Sequence, residues 1–260
     1  TTALDIGDEP MQFHLKFPDV PIAVGEERIE AIPQLLHDRP ETQVVILDDA
    51  FQHRAIKAGL NILLTDYSNL FTRDFYLPTG DLRDLKGSYK RAEIIIVTKC
   101  KTDLTIEEKQ KITDEIKPLP VQHVFFTCID YGALYHIETS ENRMLDSSTE
   151  ILLISGIANP KPLKAMLEQH SNSYHMLQYP DHHIFSIDDL KDIKHKFESI
   201  QSKDKIILTT EKDAVRLTKF RDEIKDMPFY VLPVRHRFLF EEAEIFNTII
   251  TKFINEFTNN

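Results

Sequence analysis

Short apolar runs alternate with amphipathic stretches along most of the 260-residue chain. The runs are rich in β-branched residues and have the continuous apolar character of strands that are buried on both faces of a parallel sheet. Strands are predicted over residues 44–47, 61–64, 93–97, 121–126, 151–154, 206–208 and 229–232. Helices with apolar residues at three- and four-residue intervals are predicted over residues 107–116, 162–170, 187–200 and 242–257. This alternation predicts an α/β protein built from parallel βαβ units.

The helix predicted from residue 187 has a clear start signal. Ser186 is a favourable N-cap residue, and Asp188 and Asp189 in the first turn complement the positive end of the helix dipole. The stretch 138–150 is polar, and its few apolar residues have no regular spacing, which is typical of a connection between domains. We therefore expect a nucleotide-binding core domain over residues 1–145 and a smaller α/β domain over residues 146–260.

A pair of carboxylates follows the first predicted strand. Asp48 and Asp49 come directly after the apolar residues 44–47. Ligands of open parallel sheets bind at the carboxyl ends of the strands, and carboxylates hold Mg²⁺, so this pattern is typical of a magnesium nucleotide site. Two aspartates that stop a strand and cap a turn are an equally good interpretation. No Gly-x-x-x-x-Gly-Lys-Ser/Thr loop, the usual cradle for phosphates, precedes them.

Composition narrows the class of protein. The chain is 42% apolar and 28% charged, with a net charge of -11. Binding to nucleic acid draws most of its affinity from clustered Lys and Arg, so no nucleic-acid partner is expected. Cys100 and Cys128 have no C-x-x-C spacing, which predicts two reduced, buried thiols in a cytosolic protein. No apolar run reaches the ~18 residues of a membrane span.

Two segments carry basic residues that could bind an anionic ligand. Arg83 follows a Pro-Thr-Gly turn, and Lys86, Lys90 and Arg91 come soon after it. A guanidinium binds phosphate through two hydrogen bonds, which favours a phosphate site, although a solvated basic loop would have the same composition. Lys212 lies in a Thr-Glu-Lys-Asp segment directly after a predicted strand, where a helix could begin.

Five motifs, spread over nearly the whole chain, carry a family resemblance. Residues 48–53 read Asp-Asp-Ala-Phe-Gln-His. The other motifs are Gly-Asp-Glu-Pro at residues 7–10, Leu-Pro-Thr-Gly-Asp-Leu-Arg at 77–83, Ser-Gly-Ile-Ala-Asn-Pro at 155–160, and Pro-Asp-His-His at 180–183 with Thr-Glu-Lys-Asp-Ala-Val at 210–215. In this order they resemble the motifs of the tetraacyldisaccharide 4'-kinases, the lipid A 4'-kinases. Ala50 stands where that family usually has Gly.

The resemblance implies a fold and an activity. The fold would be a mostly parallel sheet with helices, similar to that of phosphate-loop NTPases, with a smaller C-terminal α/β domain. With ATP and Mg²⁺, the protein would phosphorylate the 4'-hydroxyl of a tetraacyldisaccharide 1-phosphate, a step of lipid A and hence lipopolysaccharide synthesis. It would work as a peripheral protein at the cytoplasmic face of the bacterial inner membrane. For the oligomeric state we expect a monomer.

The resemblance also implies roles for individual residues. Asp8 would be the general base for the 4'-hydroxyl, and His182 would pair with it, which requires the fold to bring them together in a cleft between the domains. Taken alone, the Gly-Asp-Glu-Pro motif of Asp8 has an ordinary turn composition. Glu9, Asp48 and Asp49 are the implied magnesium ligands. The implied substrate- and phosphate-binding residues are Arg83, Gln52, His53 and Lys212.

Two features of the resembled family do not occur in residues 1–260, namely a membrane-associating N-terminal helix and a Gly-Gly-x-Gly-Lys-Thr type loop. The chain begins with Thr1 and Thr2, so we expect an N-terminally truncated protein whose phosphate loop lies upstream. Such a fragment would be soluble and weakly active or inactive by itself. It could also bind the acceptor lipid without catalysing a reaction.

A different enzyme class competes for one of these motifs. The string Asp181-His182-His183 is typical of a family of two-metal phosphoesterases. In that interpretation Asp48, Asp49 and His53 would supply further metal ligands. The Gly-Gly-Gly-His element that normally accompanies the string does not occur in the chain, which disfavours this alternative.

Overall fold

The chain folds into two compact units. The computed structural model describes residues 6–171 and 173–258, with side chains up to residue 256. The first unit holds the described residues up to Val24 together with Tyr131–Val234, and the second holds Gly25–Asp130 with the described residues from Arg235 onward. These units differ from the halves 1–145 and 146–260, and the assignment of functional domains to those halves stays a prediction.

Helices and strands occur in both units. The α-helices among the described residues are α1 (Asp8–Lys16), α2 (Arg28–Asp38), α3 (Ile106–Ile116), α4 (Lys161–His170), α5 (Ile187–Ser199), α6 (Glu211–Leu217), α7 (Arg221–Ile224) and α8 (Ala243–Thr258). The strands are β1 (Ile62–Asp66), β2 (Ile94–Cys100), β3 (His123–Tyr131), β4 (Leu134–His136), β5 (Asn142–Arg143), β6 (Glu150–Ser155), β7 (Tyr174–Gln178), β8 (Lys205–Thr210), β9 (Phe229–Leu232) and β10 (Val234–Phe238). Of the helices described, none combines the length and the hydropathy needed to cross a membrane.

Each unit is built around its own sheet. In the second unit the strand order is β1-β2-β3-β10, and both β1 with β2 and β2 with β3 are parallel. In the first unit the order is β5-β4-β9-β8-β6-β7, where β7, β6, β8 and β9 are parallel and β4 and β5 are antiparallel additions. The predicted α/β class with mostly parallel strands is therefore confirmed.

The centre of the first unit is formed by β6 and β8. Residues 151–155 and 206–210 of these strands are all buried, as expected for parallel strands whose two faces are covered. Leu152 packs with Ile193 of α5 on one face, and Leu153 packs with Leu163 of α4 on the other. This packing holds the carboxyl ends of β6, β7 and β8 side by side.

The strands of the second unit also pack on two faces. Ile95 of β2 belongs to a cluster that includes α3, whereas Ile94 belongs to a cluster that includes α8. Cys100 and Cys128 are neighbours in the register of β2 and β3, and both are free and buried, as predicted. Burial raises the pKa of the Cys100 thiol to about 12. The thiol therefore stays protonated and packs as a small apolar side chain.

Most of the predicted elements form at the expected places. The strands predicted from residue 61 onward correspond to β1, β2, β3, β6, β8 and β9, and the predicted helices correspond to α3, α4, α5 and α8. Ser186 caps α5 as expected, because its side chain accepts a hydrogen bond from the backbone N–H of Asp189. The apolar runs of the strands, the regular spacing of apolar residues in the helices and the helix-capping residues were therefore sufficient to locate these elements.

The strand predicted at residues 44–47 is wrong. These residues have no strand structure, and the side chain of Ile46 is 89% exposed. A strand is stable when a neighbouring strand satisfies its backbone groups and other side chains cover its faces. The segment belongs to neither sheet, so Asp48 and Asp49 occupy a turn and do not end a strand.

Two segments that were predicted to be irregular are structured. The polar stretch 138–150 contains β5 and lies inside the first unit, so it does not connect the compact units. The Gly-Asp-Glu-Pro motif begins α1, with Gly7 at a φ of 93° and Asp8 as the first helical residue. Proline is tolerated in the first turn of a helix, and acidic residues there complement the helix dipole. The motif therefore forms the start of a helix, although its composition is also that of a turn.

Truncation of a core leucine tests the packing of the first unit. We expect Leu153→Ala to lower the free energy of unfolding by about 2–5 kcal/mol, because it removes fully buried apolar contacts and leaves a cavity. Met144→Ala removes a side chain that is 79% exposed in the same unit and should change it by less than about 0.5 kcal/mol. Urea denaturation followed by circular dichroism measures both effects, and equal losses would contradict the described core.

Candidate active site

The candidate site of the first unit is built on α6, which follows directly on β8. Thr210 caps this helix, because its Oγ1 accepts from Asp213 N at 3.2 Å and donates to Asp213 Oδ2 at 2.8 Å. Asp213 is fully buried and also accepts a hydrogen bond of 3.1 Å from Gly156 N, just after β6. The Thr-Glu-Lys-Asp segment therefore opens a helix, as its sequence suggested, and Asp213 ties that helix to two strand ends.

Arg216, three residues after Asp213 in α6, lies between two carboxylates. Its Nη1 donates to Asp213 Oδ1 at 3.1 Å, while its Nη2 and Nε donate to Asp8 Oδ2 at 2.6 and 2.9 Å. Only 5% of the Arg216 side chain is exposed. A buried cation is tolerated when anions lie within hydrogen-bond distance, and both carboxylates meet that need. Arg216 therefore links α6 to α1.

Asp8 begins α1 and contacts its partners through one carboxylate oxygen. Oδ2 accepts every hydrogen bond described for this side chain, and Oδ1 accepts none from the residues that the structure describes. Burial by itself would raise the pKa of Asp8, but the hydrogen bonds and charges of Arg216 and His182 outweigh it and hold the pKa below its ordinary value of 3.8. Asp8 is therefore an ionised carboxylate whose Oδ1 has no hydrogen-bond donor among the described residues.

His182 lies beside Asp8, as the resemblance implied. Its Nδ1 is 3.2 Å from Asp8 Oδ2 and its Nε2 is 3.2 Å from Lys212 Nζ. An ammonium group can only donate, so we assign Nε2 as an acceptor and Nδ1–H as the donor to Asp8. Arg216 Nη2 lies 3.3 Å from Nδ1, but it has a closer acceptor in Asp8 Oδ2 at 2.6 Å. The backbone φ of His182 is 58°, a left-handed value that is uncommon for residues other than glycine. The carboxylate of Asp181 accepts from His182 N at 3.0 Å and supports this conformation.

His183, the next residue, has a structural role. Its Nε2 lies 3.0 Å from Asp189 Oδ2, and its ring stacks on Tyr179 with centroids 4.6 Å apart. Asp189 also accepts hydrogen bonds from Ser186 at the start of α5. The two adjacent histidines therefore differ in function, since His183 anchors the loop that presents His182.

The second unit contains the other predicted constellation, an exposed turn with Asp48 and Asp49. Both carboxylate oxygens of Asp49 are bound by Arg83, with Nη2–Oδ1 at 2.7 Å and Nη1–Oδ2 at 3.1 Å. Asp49 has a left-handed φ of 46°. The side chain of Asp48 makes no hydrogen bond with the described part of the chain. The predicted phosphate ligand Arg83 and the predicted metal ligand Asp49 therefore form a direct ion pair.

Other arginines fasten this turn to the loop that follows it. Arg54 Nη2 and Arg91 Nη2 donate to Asp84 Oδ2 at 2.9 and 3.0 Å. The hydrogen bond from Arg54 is the main reason why the pKa of Asp84 falls to about 2. Arg91 also donates to Phe51 O at 2.9 Å and lies 4.2 Å above the centre of the Phe51 ring. The Asp-Asp-Ala-Phe-Gln-His turn is thus held from both ends.

The loop before Arg83 turns sharply at Gly80. A Cβ atom at this position would lie 2.3 Å from Phe75 O and 2.4 Å from Asp74 Oδ1, so only glycine fits. Asp74 Oδ1 also accepts a hydrogen bond from Phe75 N at 2.7 Å. The close approach of Phe75 and Asp74 therefore explains the glycine of the Leu-Pro-Thr-Gly-Asp-Leu-Arg motif without any ligand.

The predicted site residues fall into separate sets. Asp8, His182 and Lys212 meet in the first unit, and Asp49 and Arg83 meet in the second. The remaining residues, which are exposed, are Glu9 in the first unit and Asp48, Gln52 and His53 in the second. Within residues 6–171 and 173–258, no three His, Cys, Asp or Glu side chains are grouped closely enough to hold a metal ion. The individual roles of these residues stay predictions.

Comparison with known proteins decides the family. The family model described as tetraacyldisaccharide-1-P 4'-kinase matches residues 1–255. This chain belongs to the tetraacyldisaccharide 4'-kinase family. A tetraacyldisaccharide 4'-kinase of Bacteroides thetaiotaomicron is 41% identical over 276 aligned residues, which cover 100% of this chain and 72% of that relative. One from Flavobacterium johnsoniae is 40% identical over 252 residues, which cover 96% of this chain and 71% of that protein.

A solved structure supports the fold of this family member. It is the "apo" form of LpxK from Aquifex aeolicus in complex with ATP, which matches with a TM-score of 0.70 at 22% identity. The match covers 98% of this chain and 71% of the Aquifex chain. At this identity the likeness shows the α/β fold, and the function must be argued from the site itself.

Membership of the 4'-kinase family leaves the phosphoesterase alternative without support. That interpretation needs Asp181, His182 and His183 as ligands of one metal cluster. In the described chain His182 points at Asp8, whereas His183 is bound to Asp189 and stacked on an aromatic ring. The Asp-His-His string therefore serves the Asp8 cluster of a 4'-kinase family member.

Two members of this cluster, Arg216 and Asp213, are not predicted from the sequence. Asp213 lies inside the Thr-Glu-Lys-Asp-Ala-Val motif, and Arg216 follows that motif directly. A helical spacing of three residues between an acidic and a basic side chain was the available signal. Surface ion pairs at this spacing are common, so only the burial of Arg216 distinguishes it.

Removal of the buried guanidinium tests the linkage between α1 and α6. We expect Arg216→Ala to lower the free energy of unfolding by about 3–5 kcal/mol, because it leaves the buried Asp213 carboxylate without its cation. Arg221→Ala breaks a pair with Glu138 in which the arginine is 70% exposed, and should cost about 0–1 kcal/mol. Urea denaturation of both variants makes the comparison, and similar small losses would show that Arg216 is not a structural link.

The lowered pKa of Asp8 predicts a pH dependence. A carboxyl group with a depressed pKa in the folded state stabilises the fold above its unfolded pKa and loses that contribution as the pH falls through the folded value. The stability difference between the wild type and Asp8→Asn should therefore be greatest above pH 3.8 and shrink as the pH falls below it. Unfolding curves recorded at a series of pH values test this, and a difference that stays constant would contradict the shift.

Proposed function

We propose that this chain transfers the γ-phosphoryl group of ATP to the 4'-hydroxyl of a tetraacyldisaccharide 1-phosphate. The named activity of its relatives supports the acceptor, and the ATP complex of the Aquifex protein supports the donor. The observation that carries the proposal is the Asp8 carboxylate, which is fixed through Oδ2 while Oδ1 accepts no hydrogen bond from the described residues and is the oxygen proposed to accept the hydroxyl group. The reaction would be a step of lipid A biosynthesis.

The bond changes define what Asp8 must do. The 4'-oxygen forms a bond to the γ-phosphorus, the bond from that phosphorus to the β,γ-bridging oxygen breaks, and ADP leaves. The hydroxyl proton passes to Asp8 Oδ1, while His182 and Arg216 hold Oδ2. A carboxylate with a low pKa is a weak base, but the loose transition state of phosphoryl transfer needs little deprotonation of the nucleophile. Asp8 therefore chiefly orients the hydroxyl and accepts its proton as the new bond forms.

Asp48 and Asp49 of the second unit are proposed as the residues that hold Mg²⁺, and the metal role that the resemblance implies for Glu9 of the first unit stays a prediction. This ion binds proteins through one or two carboxylates and completes its shell with water and substrate phosphates. The open, exposed Asp48 carboxylate fits that requirement, while Asp49 fits it once Arg83 releases the carboxylate. Bound magnesium supplies positive charge that neutralises the phosphates of the nucleotide.

Four residues are proposed to bind the substrate or its phosphates. Lys212 Nζ lies 3.2 Å from His182 Nε2, so its charge lies next to the histidine that contacts the proposed base. Arg83 carries a guanidinium that is 56% exposed and can bind a phosphate through two hydrogen bonds. Gln52 and His53 are exposed on the same motif turn as Asp49 and can add further polar contacts.

The acceptor determines where such an enzyme works. A tetraacylated disaccharide resides in a membrane, so the protein would act as a peripheral enzyme at the cytoplasmic face of the bacterial inner membrane. We propose that it does so as a monomer.

Substitution of the proposed base tests the function. The assay measures transfer of radiolabelled phosphate from ATP to the tetraacyldisaccharide 1-phosphate by the 260-residue chain. We expect Asp8→Asn to lower kcat by about 10²- to 10⁴-fold, because the amide cannot accept the hydroxyl proton. Undiminished transfer by this variant would rule out Asp8 as the base.

A matched aspartate provides the control. Asp188 lies at the start of α5 in the same unit, and its side chain is 87% exposed. Asp188→Asn should therefore keep kcat within about twofold of the wild type. The 260-residue chain is expected to be weakly active or inactive by itself, so the assay is run in parallel on the same chain restored at its N-terminus. If the restored protein also transfers no phosphate under conditions that bind ATP and the acceptor, the proposed function is wrong.

A further inference from the structure

The helix that carries Asp8 is attached to the first unit mainly through charged groups. None of the α1 side chains is buried, and Phe13 and Leu15 are 41% and 50% exposed. In most proteins a helix is held to the rest of the fold chiefly by burial of its apolar face. The position of α1, and with it that of the proposed base, must therefore depend strongly on other contacts.

The last residue of α1 forms an ion pair with the first residue of α6. Lys16 Nζ lies 2.8 Å from Glu211 Oε1, and the Glu211 side chain is only 10% exposed. The other oxygen of Glu211 accepts a hydrogen bond from Val234 N at 3.2 Å, which fixes the carboxylate against the backbone beyond β9. Glu211 is thus an oriented anion, unlike the mobile partner in most surface pairs.

The two helices are joined at both ends. Asp8 at the start of α1 contacts Arg216 near the end of α6, and Lys16 at the end of α1 contacts Glu211 at the start of α6. This crossed order means that the helices run in opposite directions. At 1.5 Å per residue the two attachment points on α1 lie about 12 Å apart, so together they restrict the tilt of the helix, which one pair alone would not do.

We infer that the Lys16–Glu211 pair positions the catalytic base, although neither residue touches the substrate. The inference rests on the proposed function, in which Asp8 orients the 4'-hydroxyl. Loss of the pair leaves α1 held by the contacts of Asp8 with Arg216 and His182, which all lie at one end of the helix. The helix can then pivot about Asp8 and rotate Oδ1 away from the hydroxyl. Small displacements of reacting groups lower the rate while binding of the substrates is kept.

A double-mutant cycle on kcat tests this inference. Lys16→Ala and Glu211→Gln should each lower kcat on the order of tenfold, with the KM for ATP and for the disaccharide lipid unchanged. Glutamine keeps an acceptor for Val234 N, so Glu211→Gln removes the charge without removing that hydrogen bond. The double variant should be no slower than the slower single variant, since both changes break one interaction.

Two further variants separate positioning from a general effect of charge. Lys16→Arg keeps a cation near Glu211 and should retain kcat within about twofold. Lys191→Ala breaks an exposed pair with Asp188 in α5 of the same unit and should also leave kcat unchanged. Effects of the Lys16 and Glu211 substitutions that multiply in the double variant, or that fall on KM, would overturn the inference.

Hydrogen exchange of the α1 amides gives a readout that does not need phosphoryl transfer. Lys16→Ala and Glu211→Gln should speed exchange of the peptide 8–17 several-fold relative to the wild type and to Lys191→Ala. Unchanged exchange would overturn the positioning role whether or not the chain is active. Faster exchange would support the tether even if the chain restored at its N-terminus transfers no phosphate, a result that would reject the proposed function alone.

Discussion

The buried contact of Arg216 with Asp8 and Asp213 is the interaction on which the candidate site depends. Asp213 is fully buried and fixes the guanidinium relative to the strand ends, and the guanidinium in turn fixes Asp8. Removing one partner of a buried ion pair is costly because the other charge loses its compensation. The same arrangement lowers the pKa of Asp8 and occupies one of its oxygens. Structure and proposed chemistry therefore share a single set of contacts.

The parallel sheet of the first unit explains why these contacts occur at one place. Gly156 follows β6, the loop with His182 follows β7, and α6 follows β8. The carboxyl ends of parallel strands meet along one edge, where α/β proteins bind their ligands. Motifs that are separated by more than fifty residues, such as those of Gly156 and Asp213, are thereby brought within hydrogen-bond distance. The buried apolar strands supply rigidity, and the loops after them supply the functional groups.

The Asp48–Asp49 motif of the second unit lies in a turn, whereas the motifs of Gly156, His182 and Asp213 in the first unit follow the ends of parallel strands. Asp48 and Asp49 do not end a strand, and arginine side chains hold their turn in place. Arg83 supplies a bidentate cation to Asp49, which balances the carboxylate charge. The same ion pair joins the loop of residues 77–83 to the acidic turn.

Local sequence patterns were sufficient to predict the α/β class, most strands and helices, the buried thiols and the motifs that mark the family. These features follow from local periodicity, caps and short-range chemistry, which adjacent residues carry. Tertiary structure alone decided that residues 44–47 are exposed, that Gly-Asp-Glu-Pro begins a helix, and that Arg216 is buried between two carboxylates. Apolar residues are buried only where another element of the fold covers them. An arginine binds a carboxylate only where the fold brings the two side chains together. Such pairings join residues far apart in the chain, such as Asp8 and Arg216, and a local pattern contains no information about them.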